Sequence, residues 1–240
     1  MSDHGATFNR IHIAAAFMML GNILQRSHKT NTVERTAAAE LISKLSDLAL
    51  SQIGSFGAQA VSNTMYSLSK LPKMGFRTNP ELFTALTLHG SQLLQEFTPQ
   101  QLSNTIWALA TLSHHDNGFT ADLISAARRK LPVFIPQNFS NTIWALATLG
   151  HHHDGFTAAL ISEAQGQLPL FNPQNLANTI WALATLGHHD DGFTAALISE
   201  ARAKLSSFKP QELANTIWAL ATLGHHDLSL IHISEPTRPY

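Results

Sequence analysis

The 240-residue chain contains no cysteine and few charges of either sign. Without cysteine there is neither a disulfide framework nor a thiolate metal site, although that absence leaves the compartment open. Charged residues make up 13% against 44% hydrophobic, a balance that argues against disorder and for packed structure. The formal net charge is -1, so no global basic field announces nucleic acid. No apolar run is long enough to span a bilayer. The opening Met1-Ser2-Asp3-His4-Gly5 lacks the basic-then-apolar order of a signal peptide and looks little like an Arg-rich transit peptide.

What the chain does have is repetition. Asn178-Thr179-Ile180-Trp181-Ala182-Leu183-Ala184-Thr185-Leu186-Gly187 recurs unchanged at Asn141–Gly150 and Asn215–Gly224. At Asn104–Ser113 only the last residue differs, and the four asparagines Asn104, Asn141, Asn178 and Asn215 are spaced by 37 residues. A fixed period of this size means stacked supersecondary units, each able to bury its apolar face only against a neighbour. Phe56-Gly57-Ala58-Gln59-Ala60-Val61-Ser62-Asn63-Thr64-Met65-Tyr66 keeps the register of Phe171–Trp181 with drifted residues, and is a divergent copy.

In chain order, Phe8 to Leu24 reads as a leading helix, and Asn9-Arg10-Ile11-His12 as a decayed copy of the anchor motif. Gln25 to Arg35 is expected to be a loop, followed by a helix from about Thr36 to Leu50. Asn79-Pro80-Glu81 opens the next unit, Asn as N-cap and Pro at the first helical position. From there each unit should hold two helices. Helix A runs from about Phe156 to Leu168, led in by Asp154 and Gly155 and stopped at Leu168-Pro169. Helix B starts at Pro173 with Asn172 as cap and ends at Gly187, which tolerates a left-handed C-cap. Thr98-Pro99-Gln100-Gln101 has the spacing of a capping box. The expected architecture is all-α, a solenoid of five helical hairpins (36–77, 78–116, 117–153, 154–190 and 191–227) behind a leading segment at 1–35.

On helix B, Leu176, Ile180 and Leu183 form one apolar stripe and Ala177, Trp181 and Ala184 a second. A helix with two such stripes suits a place between its own helix A and the neighbouring repeat. Trp107, Trp144, Trp181 and Trp218 are therefore expected in the core, buried in register.

Each unit closes on histidines: His114-His115-Asp116, His151-His152-His153-Asp154, His188-His189-Asp190 and His225-His226-Asp227. A zinc site or a general base is one reading. Catalysis needs a single preorganised site, however, and a metal site needs three or four ligands. Four equivalent turns fit better with His at a helix C-terminus and Asp leading into the next helix. No metal, cofactor or catalytic residue is expected. The asparagine of the Asn-Thr pair either bonds a neighbouring repeat as a ladder, the favoured reading, or faces a groove and touches ligand.

Positions that differ between repeats fall on one stripe of helix A: Asp122, Ala126 and Arg129 align with Ala159, Glu163 and Gly166, and with Ala196, Glu200 and Ala203. Arg128, Gln165 and Arg202 border them. A modular binder would put its reading residues on such a stripe, as helical RNA readers do; a solvated face free to drift is the other reading. Arg128, Arg129, Lys130, Arg202 and Lys204 are the cations of that helix, and Glu163 and Glu200 its candidate base selectors.

The anchor motif, preceded by Phe171, Pro173 and Gln174, resembles the octotricopeptide and heptatricopeptide repeats of organellar RNA-binding proteins. It is also similar to helical-repeat proteins of mitochondrial RNA-editing complexes and to the repeats preceding RAP domains. The resemblance covers about Phe56 to Asp227. It implies an α-solenoid that binds single-stranded RNA in a mitochondrion or plastid and acts in processing, stability, editing or translation. Binding partner protein as a scaffold is the alternative, and a non-enzymatic, monomeric protein without membrane contact is expected. Leu228 to Arg238 resembles the conceptual translation of a sequencing-library adapter and begins where the period breaks; 228–240 is expected to be an artefact, and the chain a fragment.

Overall fold

The computed structural model describes residues 9–26 and 31–225; the adapter-like tail, His226 and Asp227 lie outside the described residues. Every regular element among the described residues is helical. The fold is an all-α solenoid, and the described residues divide after Arg129 into two compact units.

The first unit contains α1 (Arg10–Arg26), α2 (Thr32–Ser51), α3 (Ala58–Lys70), α4 (Pro80–Gln92), α5 (Pro99–Thr111) and α6 (Asn117–Arg128). The chain alternates between two layers: α1, α3 and α5 pack side by side, and α2, α4 and α6 pack against them and one another. Two boundaries differ from expectation. The second helix begins at Thr32, because Asn31 and Glu34 form a reciprocal capping box, with Glu34 N–H donating to Asn31 Oδ1 at 2.9 Å. Asn9 is the N-cap of α1, its Oδ1 accepting from Ile11 N–H at 3.0 Å, and so is not an in-helix copy of Asn178. Even so, α1 takes the place beside α3 that α3 takes beside α5.

The second unit contains α7 (Pro136–Leu149), α8 (Asp154–Gln165), α9 (Pro173–Leu186), α10 (Asp191–Ala203) and α11 (Pro210–Thr222). Here α9 lies between α7 and α11, with α8 and α10 as the second layer. Leu176, Ile180 and Leu183 are fully buried, as the first apolar stripe predicts. Each such side chain contributes roughly 1.5–3 kcal/mol. Helix A ends earlier than expected, at Gln165, and Leu168–Leu170 forms a separate 3-10 turn.

The sequence's capping signals are used as read. Asn79 Oδ1 accepts from Leu82 N–H at 3.0 Å, and Thr98 with Gln101 closes a capping box. Asn172 Oδ1 accepts from Asn175 N–H at 2.8 Å. Gly187 ends α9 in the left-handed region with φ 63°. Ser113, in the one divergent copy of that position, also takes a left-handed φ of 50°.

The histidine turns are structural at their ends. Asp116 and Asp190 cap α6 and α10 by accepting from Phe119 and Phe193 N–H, both at 2.9 Å. In the turn with an extra histidine, His153 replaces the aspartate, its Nδ1 accepting from Phe156 N–H at 3.1 Å. Asp154 is displaced into the first turn of α8. Among the described residues no group of three His, Cys, Asp or Glu is placed to hold a metal.

Candidate functional site: an asparagine–tryptophan stripe

Burial along α9 leaves one narrow stripe open. Asn175, Leu176, Ala177, Thr179, Ile180, Ala182, Leu183 and Ala184 are all buried. Gln174, Asn178, Trp181 and Thr185, at i, i+4, i+7 and i+11, are not. Those spacings stay on one face of an α-helix. On α7 the same registers, Gln137, Asn141, Trp144 and Thr148, are open, and on α11 Gln211, Asn215, Trp218 and Thr222.

The tryptophans are therefore not core residues. Trp107, Trp144 and Trp181 are half-buried and Trp218 is 49% exposed. The reason is register: the first stripe, with Thr179 and Ala182, already fills the space towards the neighbouring helices, and Ala177 and Ala184 alone complete the second. The indole is left at the surface, flanked by its neighbours. Trp144 and Trp181 have ring centroids 6.2 Å apart, and Trp181 and Trp218 6.4 Å, tilted by 32° and 33°. Three helices thus present a row of aromatic faces.

Beside each indole lies an asparagine whose role also differs from the favoured expectation. The asparagine bond between repeats is made instead by Asn175, which donates from Nδ2 to Ser140 Oγ at 2.9 Å. Asn104, Asn141, Asn178 and Asn215 are half-buried and make no side-chain hydrogen bond to another described residue. Each offers an amide, donor and acceptor together, next to a ring. Thr148, Thr185 and Thr222 turn their hydroxyls back to the carbonyls of Trp144, Trp181 and Trp218, each at 2.9 Å. This ties down the far end of the stripe.

The first unit carries the same registers on α3 and α5. Asn63 and Tyr66 stand where Asn178 and Trp181 stand, and Tyr66 lies 5.2 Å from the Trp107 ring. Two cations sit over these rings: Lys70 Nζ is 4.1 Å from the Tyr66 centroid, and Lys73 Nζ is 5.6 Å from that of Trp107. Sequence reasoning passed over Lys70, although it occupies the register of Thr185 in a later copy and so belongs to the stripe.

The helix-A candidates are placed elsewhere, on α6, α8 and α10 or at their C-terminal ends. Asp122, Arg128, Arg129, Glu163, Gln165 and Arg202 are exposed in that layer. Arg129 Nη1 donates to Ser125 Oγ at 3.1 Å. Ala126 is 1% exposed and cannot touch a ligand, because it faces the core of the first unit. Lys204 is a clamp between repeats, donating to the Pro169 and Phe171 carbonyls at 2.7 and 2.8 Å and pairing with Glu200 at 3.2 Å. Gln167 makes the equivalent bond to the Phe134 carbonyl at 2.9 Å. These contacts use Lys204 and Glu200 for packing rather than for reading.

In chemical terms the stripe offers flat apolar faces, neutral amides and, in the first unit, two ammonium groups. It suits stacking and hydrogen bonding to planar polar rings.

Residues 36–191, more than half of the chain, match the family model described as RNA-editing substrate-binding complex 6 protein. The chain belongs to that family. Residues 176–232 match a second model, FAST kinase-like protein, subdomain 1. No curated protein matches the chain. The open residues on α3 and α5 of the first unit and on α7 and α9 of the second lie within the first match, and those on α11 within the second. The resemblance to helical-repeat proteins of RNA-editing complexes is thereby borne out.

Proposed function

We propose that this chain binds single-stranded RNA along the asparagine–aromatic stripe that each of its two units carries and acts, without catalysing a reaction, in organellar RNA editing or processing. The observation that carries the reading is the set of partly open indoles, each beside an asparagine amide that no described residue's group uses. Base–aromatic stacking contributes roughly 1–3 kcal/mol per base, and its energy depends little on overall protein charge. A near-neutral chain can therefore bind RNA through such a face. The family's description names an RNA-editing complex, which favours a mitochondrial setting and protein partners alongside RNA.

Lys70 and Lys73 supply the phosphate contacts of the first unit. With about two phosphates neutralised at ≈ −0.7 each, the slope of log affinity against log salt is about −1.4. Titration of the full chain with a single-stranded RNA pool, followed by tryptophan fluorescence, tests the reading. Quenching on binding with a shallow salt slope is expected, and replacing Lys70 and Lys73 with Ala should flatten the slope further. Retention of a peptide or protein with no RNA binding at low salt would overturn it in favour of a protein scaffold.

A further inference from the structure

The RNA reading rests on what the stripe is made of; how it repeats says more. On α7, α9 and α11 the same four registers are open: Gln137, Asn141, Trp144, Thr148; Gln174, Asn178, Trp181, Thr185; and Gln211, Asn215, Trp218, Thr222. The ring separations are nearly equal at 6.2 and 6.4 Å, and the tilts of 32° and 33° agree. The threonine bonds that close each stripe have one length, 2.9 Å. Successive helices therefore present not only the same residues but the same local geometry.

A modular reader of mixed sequence needs different side chains from one repeat to the next, since each base offers its own pattern of donors and acceptors. This stripe has no such variation. The variation between α8 and α10 falls in the other layer, at their C-terminal ends, where Gln165 aligns with Arg202 and Gln167 with Lys204, and that last pair holds neighbouring repeats together. An indole alone accepts any base. The amide of Asn141, Asn178 and Asn215, without a hydrogen-bond partner among the described residues, is directional, however, and its donor and acceptor match one edge pattern better than the others.

We propose, resting on the RNA reading above, that the α7–α9–α11 face selects a run of one repeated base, each indole taking a base face and each asparagine the same base edge. Selectivity then multiplies along the run: if one amide discriminates about tenfold, three in series do so about a thousandfold.

The test is a competition assay on the full chain with equal-length adenine, uracil and cytosine homopolymers and a mixed-sequence RNA of the same length. One homopolymer is expected to bind at least about tenfold tighter than the mixed sequence. A single substitution in the middle of that homopolymer should cost about tenfold. The variant with Asn141, Asn178 and Asn215 all replaced by Ala should keep its helical signal, because none of the three makes a side-chain hydrogen bond to a described residue. It should bind all four RNAs within about twofold of one another, on stacking alone. Equal affinity of the unaltered chain for all four RNAs would overturn the proposal while leaving the RNA reading intact. No binding to any of them would overturn both.

Discussion

Asn175 donates from Nδ2 to Ser140 Oγ at 2.9 Å, a buried bond that joins α9 to α7. Asn178, one turn further along the same helix, has no side-chain partner among the described residues. The two asparagines divide structure from ligand. Replacing Asn175 with Ala removes its bond to Ser140 Oγ and half of the capping box at Asn172, and is expected to cost about 1–3 kcal/mol. Replacing Asn178 with Ala should change stability by less than about 0.5 kcal/mol. Urea denaturation of the two variants, followed by helical circular dichroism, checks the contrast.

The threonine after each asparagine carries a different prediction. Thr64, Thr105, Thr142 and Thr179 bury their hydroxyls without a partner, whereas Thr216 donates to the Glu212 carbonyl at 2.8 Å. A buried hydroxyl without a bond is costlier than a methyl of the same shape. Thr142→Val and Thr179→Val are each expected to raise stability by about 1 kcal/mol, and Thr216→Val to lower it. Thermal melts of the three variants give the signs directly.

The third prediction concerns acid. Burial first, and then the neighbouring His153 and His152, hold the pKa of His151 below its ordinary value of 6.5. A histidine kept neutral in the fold contributes stability that is present above the unfolded pKa and is lost as pH falls through the folded one. Stability should therefore fall as pH drops below about 6.5. His153→Asp, which installs the aspartate found at Asp190, should reduce that fall by removing one of the neighbours that hold the His151 pKa down. Melting temperatures from neutral to mildly acidic pH, compared between the two proteins, check it.

The fold was legible because four near-identical copies announce a stack and because caps such as Asn79, Thr98 and Asn172 are local chemistry. The start of α2 was missed because its signal, Asn31 with Glu34, lies in a stretch without apolar periodicity. The exposure of the tryptophans was not legible, for a physical reason. A tryptophan among alanines and leucines reads as filling, and an asparagine beside it reads as a ladder; which of two nearby asparagines faces inward depends on packing between helices. The signal that was available is the recurrence of Gln, Asn, Trp and Thr at i, i+4, i+7 and i+11 on every copy. That pattern gives a single face too polar for a core, with Lys70 in its register on the divergent copy.

Fluorescence anisotropy of a labelled single-stranded RNA pool against three full-length proteins tests the central claim most directly. The three are the unaltered chain, a stripe variant with Asn104, Asn141, Asn178 and Asn215 replaced by Ala, and an outer-layer variant with Arg128, Glu163 and Gln165 replaced by Ala. The unaltered chain and the outer-layer variant should bind alike, and the stripe variant should bind at least about tenfold more weakly while keeping its helical signal. Loss of binding in the outer-layer variant with the stripe variant unaffected, or no binding by the unaltered chain, would contradict the account.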